Sequence, residues 1–477
     1  MPKALVLAGT RSGCGKTSVA LGLMRALARR GLRVQPFKAG PDFIDPGLHA
    51  AAAGRDSHNL DTWMMPPDAL RSCFARAAAG ADVVLVEGVM GLFDGRGGGR
   101  TGDDEEGSTA HLAKLLGLPV ALVLDASSQA RSAAAVALGF ASFDPQLPLA
   151  GVLLNRIASP RHETLLRQAL ATLAPLADVP LLGCLPRAEG LGLASRHLGL
   201  VTADDITELD ARLEALADWV EQGVDVPALL SALPELDAAR LAPPAAEQVA
   251  SGKRCGTVRI GLARDRAFCF TYAENLRLLE QAGAEIVPFS PLADAALPDG
   301  LHGLYLPGGY PELAASALAA NTTMLASVRA FCDSGQPVWA ECGGFMYLQR
   351  ALVDAEGREH ALCGVLPGRA VMRARRAALG YRQAQTLAPG PLGPAGTTLR
   401  GHEFHYSELE QPHADNAAFT LTASDGNTTR DGAATHNVIG GYFHAHLSSN
   451  PDAARAFVEA CASGARGRRP LDPRQRA

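Results

Sequence analysis

A chain of 477 residues is too long for one ordinary core, since single domains run about 100–200 residues, and two domains are expected. Apolar residues at 47% and charged residues at 19% exclude a disordered chain, and a net charge of −5 excludes the broad basic field that collects nucleic acid. No apolar run approaches the roughly 20 residues of a membrane helix, and nine cysteines without CxxC or Cys/His ligand spacing exclude a disulfide framework and a zinc site.

In chain order, MPKALVLAG passes straight into a strand and does not read as a signal peptide, so a cytoplasmic protein is expected. The strand leads through GTRSGCGKT into TSVALGLMRALARRG, whose apolar positions recur at helical spacing. Such a turn, with Gly13 and Gly15 before a helix N-terminus, offers backbone N–H groups to phosphate oxygens. Lys16 is placed to neutralise the β and γ phosphates, and the Thr17 hydroxyl to bind magnesium. The strict GxxxxGK[ST] spacing would need Gly where Thr10 stands, and Gly9 comes one residue too early. That displaced glycine resembles the variant P-loops of dethiobiotin synthetase and the chromosome-partition ATPases.

Magnesium beside a triphosphate takes hard oxygen ligands. Two strand ends supply them, FKAGPDFIDP and VLVEGVMGLFDG, which makes Asp42 and Glu87 the candidates for the metal shell. Asp45 and Asp94 lie in the same loops, and the competing reading is that such acids cap the following helices. Further strands, PVALVLDA, LAGVLLN and PLLGCLP, alternate with Ala/Leu/Arg helical stretches, the rhythm of parallel βαβ units.

Residues 222–254 turn to Pro, Ala and scattered charge and are expected to be a linker or helical connector. At 257 the strand rhythm restarts with TVRIGLARD, AEIVPFS, HGLYLPGG and PVWAECGG, ending near GYFHAHLSSNP. Cys342 stands at the turn between an apolar strand and an expected amphipathic helix, a position that exposes a nucleophile and favours its thiolate. The residues after 462, with Arg466, Arg468, Arg469, Arg474 and Arg476, read as a solvated tail.

The order cysteine, oxyanion donors and histidine resembles a class I glutamine amidotransferase. The resemblance implies Cys342 as nucleophile, His444 as base, and Gly309 and Gly343 as oxyanion donors. The carboxylate that usually follows two residues after the histidine is absent, and His446 stands there.

Together, GTRSGCGKT, RVQPFKAGPDFIDP, HNLDTWMM, EGVMGLFDG, PGGYPE, WAECGGFMYL, RGHEFHYS and YFHAHLSSNP resemble the cobyrinic acid a,c-diamide synthase family from residue 3 to about 455. The resemblance implies an α/β fold with an ATP-binding amidoligase domain at 1–221, a linker at 222–254, a glutamine amidotransferase domain at 255–455 and a basic tail at 456–477. It implies amidation of the a and c acetates of a corrinoid polycarboxylate, with ATP, Mg2+ and L-glutamine, and neither nucleic acid nor membrane as partner. A homodimer is left open. Relatives act on metal-free hydrogenobyrinic acid or on a nickel tetrapyrrole, and GCGKT with HNLD favours the cobalt-bearing ring. Lys38, Asp45, Asp94, Arg96 and the RGHEFHYS stretch are the candidates for phosphate or ring carboxylates. The alternative from another class is a partition-type ATPase switch, in which Arg11 stands at the signature lysine position. Glutamine-dependent release of ammonia separates the two.

Overall fold

The computed structural model describes residues 1–97, 105–173, 179–188, 190–191, 206, 208–237, 258–410, 414–435 and 437–467. The chain divides into two compact units, Met1–Glu247 and Gln248–Ala477.

The first unit is a parallel sheet of seven strands: β1 (Lys3–Gly9), β2 (Val34–Ala39), β3 (His58–Leu60), β4 (Val83–Glu87), β5 (Val120–Asp125), β6 (Leu149–Ile157) and β7 (Leu181–Pro186), in the order β3-β2-β4-β1-β5-β6-β7. Strands buried on both faces explain why the sequence shows continuous apolar runs. Along β1, Ala4, Val6 and Ala8 enter one core while Leu5 and Leu7 enter the other. The central place of β1 puts its following loop beside the carboxyl ends of β2 and β4, where Lys38 and Glu87 are register partners. Helix α1 (Lys16–Arg29) starts at that loop, and α2 (Asp45–Ala53) follows β2.

The linker or helical connector expected at 222–254 begins as a helix that packs into the first unit. Val226–Ala232 is helical, and Val226, Leu229 and Leu233 join the first unit's core, each contributing about 1.5–3 kcal/mol by burial. The Leu236 N–H donates to the Pro2 carbonyl, and Lys3 Nζ donates to the Leu230 and Leu233 carbonyls at 2.5 and 3.1 Å. Apolar residues at helical spacing outweighed the Pro/Ala composition. Residues 238–254 lie outside the described residues.

The second unit opens with β8 (Val258–Ala263), β9 (Ala284–Phe289), β10 (Gly303–Leu306) and β11 (Val338–Glu341). Between β11 and the last strands the chain forms β12 (Gln349–Val353), β13 (Glu359–Ala361), β14 (Leu366–Met372), β15 (Ala378–Thr386), β16 (Thr398–His405), β17 (Ser407–Leu409), β18 (Phe419–Ala423) and β19 (Thr428–Asp431). It closes with β20 (Ala433–Ala434), β21 (Val438–Gly441) and β22 (His444–His446). The main sheet has the order β20-β21-β11-β10-β8-β9, beside smaller sheets β13-β12-β14-β17 and β19-β18-β15-β16-β22. The β12–β19 stretch was not anticipated, because its strands are polar on one side and lack long apolar runs.

Alternation along β11 sends Val338, Ala340 and then Cys342 to one core and Trp339 to the other, where it stacks on Tyr305 at 4.2 Å. The expected basic tail from 456 is a further correction: helix Pro451–Gly467 runs through its start and buries Phe457, Val458 and Cys461. Arg468, Arg469, Arg474 and Arg476 lie outside the described residues. Among the described residues no helix is long and apolar enough to cross a membrane.

Candidate functional site

The first site forms where β1, β2 and β4 end. Gly13 and Gly15 take left-handed backbone angles, φ 75° and 96°, which bend the loop into the start of α1. Lys16 is nearly buried and its Nζ donates to the carbonyls of Met90 at 2.5 Å and Arg11 at 3.3 Å. Burial holds its pKa below the usual lysine value. Met90 itself has φ 46°, backbone strain concentrated beside the loop. Behind the loop, Asn155 Nδ2 donates to the Cys14 carbonyl at 2.9 Å, and Arg156 bridges the Gly13 carbonyl at 2.9 Å and Asp125 at 2.5 Å. Arg11 pairs with the same Asp125 at 2.7 Å.

Glu87 is fully buried and is the hub of this site. Its Oε1 accepts from the Thr17 hydroxyl at 2.6 Å and from Lys38 Nζ at 3.0 Å, while Oε2 meets His49 Nε2 at 2.7 Å. His49 is anchored in turn by Ser57 at 3.1 Å. Burial alone would raise the Glu87 carboxyl, but Lys38, His49 and Thr17 hold it well below the usual range. Lys38 also donates to Asp45 at 2.5 Å and lies 3.8 Å from Asp42. Burial opposes its charge, yet Asp45, Glu87 and Asp42 together raise it above the ordinary lysine value. Asp45 is pushed up by burial and by the neighbouring carboxylates of Asp42 and Glu87.

Thr17, Lys38, Asp42, Asp45 and Glu87 are therefore brought together. Asp42 also performs the capping role weighed against the metal one, since its Oδ1 accepts the Ile44 and Asp45 N–H groups at the start of α2. Lys38 is buried and paired with carboxylates of the protein, inside this network. Asp94 closes its own loop by accepting the Gly91 N–H at 2.8 Å. Arg96 lies 3.6 Å from Glu106 and 5.5 Å over the Trp63 ring. Beside Gly15 opens a cavity of about 420 Å³ whose lining includes Ser18, Ser127, Asn155, Arg156 and Trp219.

The second site surrounds Cys342. Its backbone is strained, φ 43° and ψ −102°, as it turns from β11 into helix Gly343–Leu348. All six residues of that helix are buried, so it is a core turn and not the expected amphipathic helix. The expected thiolate is also corrected. Burial and the nearby Glu312 carboxyl push the Cys342 thiol far up, and the Gly343 N–H only partly offsets them. A six-residue helix offers too little aligned dipole to reverse that.

Gly308 and Gly309 connect the two halves of this site. A Cβ on Gly308 would lie 2.3 Å from His444 Cε1, and one on Gly343 would lie 2.9 Å from the Gly309 nitrogen. The cysteine turn, the two proposed oxyanion donors and the histidine are therefore neighbours. His444 is buried, and burial followed by His402 and His405 lowers its pKa well below the ordinary value, so it rests as neutral imidazole.

Glu341 was missed, although it stands inside the quoted AECGG. Its Oε1 accepts the Ala445 N–H and its Oε2 the Tyr305 hydroxyl, both at 2.8 Å. Burial pushes it up to about 8. His49, Asn155 and Tyr272 also carried no local signal. The RGHEFHYS stretch lies on β16, where His402 stacks on His444. This aligns it with the cysteine site.

Residues 5–200 match the family model for the CobQ/CobB/MinD/ParA nucleotide binding domain, and residues 259–452 that for the CobB/CobQ-like glutamine amidotransferase domain. A hydrogenobyrinate a,c-diamide synthase of Rhodobacter capsulatus is 49% identical over 93% of this chain and 98% of its own length. Cobyrinate a,c-diamide synthases of Syntrophotalea carbinolica and Salmonella typhimurium are 46% and 43% identical, each over 96% of this chain and 98% of their own length.

Proposed function

The chain belongs to the cobyrinate/hydrogenobyrinate a,c-diamide synthase family, and from that premise we propose that it amidates the a and c acetate carboxylates of a corrinoid ring with ATP and glutamine. The observation that carries this reading is the pairing of a phosphate loop, whose Thr17 meets a buried Glu87, with a strained Cys342 turn beside a neutral His444.

In the glutaminase half, the Cys342 thiol proton passes to His444 as sulfur bonds to the glutamine amide carbon. Gly309 and Gly343 N–H groups stabilise the oxyanion. His444 returns the proton as the C–N bond breaks and ammonia leaves, and water hydrolyses the thioester to glutamate. In the ATP half, the γ-phosphoryl group transfers to a ring carboxylate, giving ADP and an acyl phosphate. Ammonia attacks its carbonyl carbon and phosphate departs, once for each side chain.

The Thr17 hydroxyl and the Asp42 and Glu87 carboxylates offer oxygen donors, which suit a hard divalent cation. Magnesium would be held by Thr17, Asp42 and Glu87 and would neutralise charge on the phosphates. Lys16 and the Gly13 and Gly15 turn orient those phosphates, and the cavity beside Gly15 suits the nucleoside. A partition switch needs no glutaminase half, so the second site disfavours that alternative. The relatives' names divide between the cobalt-bearing and metal-free rings and do not add to the preference for cobalt. The same reading takes the enzyme as cytoplasmic, and sedimentation decides between monomer and homodimer.

The test is amide formation by the purified enzyme on each ring acid with ATP and either glutamine or ammonia. Product from one ring acid only, from both nitrogen sources, supports the reading and names the substrate. Neither ring amidated from either source overturns it.

A further inference from the structure

β16 and β22 run antiparallel with His402 opposite His444, so the two side chains leave one face of the sheet as a cross-strand pair. Gly401 permits the close approach, because a Cβ there would sit 1.8 Å from the His444 carbonyl oxygen. The two imidazole rings lie 5.1 Å apart between centroids and within 17° of parallel, the offset-stacking range. His402 is itself fixed, with Nδ1 3.0 Å from the buried Tyr272 hydroxyl. His446, two residues beyond His444, packs on Tyr272 at 4.7 Å, and among the described residues neither of its ring nitrogens has a hydrogen-bond partner.

We propose that His402, hooked by Tyr272, is the positioning residue that holds the His444 ring in line for proton transfer from Cys342. The proposal rests on reading Cys342 and His444 as the glutaminase pair. A nucleophile and base need a third group to orient the base, and a stacked ring face can do this by opposing rotation about χ2. His402 touches no substrate and exchanges no proton. Burial pushes it down to about 3, so it stays neutral and does not oppose a proton on His444. The titratable groups around the pair are Glu403 and His405 on β16, His446 on β22, and Tyr272 and Glu274 from the segment packed against them.

The experiment compares His402→Ala, His402→Phe, Tyr272→Phe and His444→Ala in the full-length enzyme. It measures glutaminase kcat and KM, alkylation of Cys342 by iodoacetamide against pH, and ammonia-dependent amidation. In His402→Ala the glutaminase kcat should fall roughly 10- to 100-fold with little change in KM, and the pH profile of Cys342 alkylation should move. His402→Phe, which keeps a flat ring, should recover most of the rate. Tyr272→Phe should fall between, and ammonia-dependent amidation should persist in all. Full glutaminase activity in His402→Ala with an unmoved pH profile overturns the proposal, as does a Phe variant no better than Ala. Full activity in His444→Ala instead overturns the underlying reading of the pair.

Discussion

Glu341 immediately precedes Cys342, and its carboxyl accepts the N–H of Ala445, the residue immediately after His444, at 2.8 Å. One side chain thus ties the nucleophile's strand to the base's strand. With its pKa pushed up to about 8 it is neutral at pH 7, so an amide can replace it: Gln still accepts from Ala445 and donates to Tyr305. Glu341→Gln should keep glutaminase activity near wild type, while Glu341→Ala should lose it and cost about 2 kcal/mol of stability. The folded pKa lies above the unfolded value, so this group's stabilisation is full below about 4.5 and is lost as pH rises through about 8. Unfolding measured from pH 6 to 9 should fall more steeply for wild type than for Glu341→Gln. Equal slopes would remove Glu341 as the titrating group.

Cys342→Ser should abolish glutamine-dependent amidation and leave ammonia-dependent amidation intact, because only the thioester steps use the sulfur. The measurement is product formation from each nitrogen source. Full activity with glutamine would remove Cys342 from the mechanism.

Lys16→Ala should lower amidation from both nitrogen sources by roughly 10²–10³-fold, the usual loss when one preorganised charge is removed from a transition state. Release of ammonia from glutamine should continue. Near wild-type ammonia-dependent rates at saturating ATP would rule out the phosphate role.

Glu87→Gln keeps an acceptor oxygen for Thr17 and Lys38 but turns an amide N–H toward His49 Nε2, which must then accept instead of donate. It removes the negative charge facing Lys38. Amidation should fall steeply and require more magnesium, with a stability loss of about 3 kcal/mol from the broken buried pair. A magnesium titration of amidation, beside thermal unfolding, is the measurement. Activity retained at low magnesium would transfer the metal to Asp42 or Asp45.

His402, His444 and His446 are buried as neutral rings, with His402 and His446 pushed down to about 3 and 4 and His444 also lowered. Their folded pKa values lie below the unfolded value of about 6.5, so their contribution is full above that pH and is lost as pH falls. The second unit should lose about 1.4 kcal/mol per pH unit for each such site below pH 6. Urea titrations read by thiol labelling of the buried Cys461 at pH 5 and 7 measure this. Equal midpoints would contradict the burial-driven shifts.

The parallel sheet and the two turns at 13–16 and at Cys342 were legible because their signals are local. GCGKT and AECGG are contiguous, and buried parallel strands print as apolar runs. What could not be read is held by pairing between distant segments. His402 reaches His444 through the antiparallel register of β16 and β22, and Lys38 reaches Glu87 through the parallel register of β2 and β4. The thiolate expectation at Cys342 failed because a turn motif shows the chain's direction but not the burial that sets the thiol's pKa. The helical connector expected at 222–237 was legible as a helix, but not its burial against the first unit's core, which is set by contacts with distant residues.

The hydrogen bond from Leu236 to Pro2, with the clasp of Lys3 on Leu230 and Leu233, sets an order of events during synthesis. The start of β1 is held by residues more than two hundred positions later in the chain, so the first unit completes these contacts only once that segment has been made. A recombinant fragment cut at residue 221 would lack these partners of Pro2 and Lys3, whereas one continued through residue 237 would keep them.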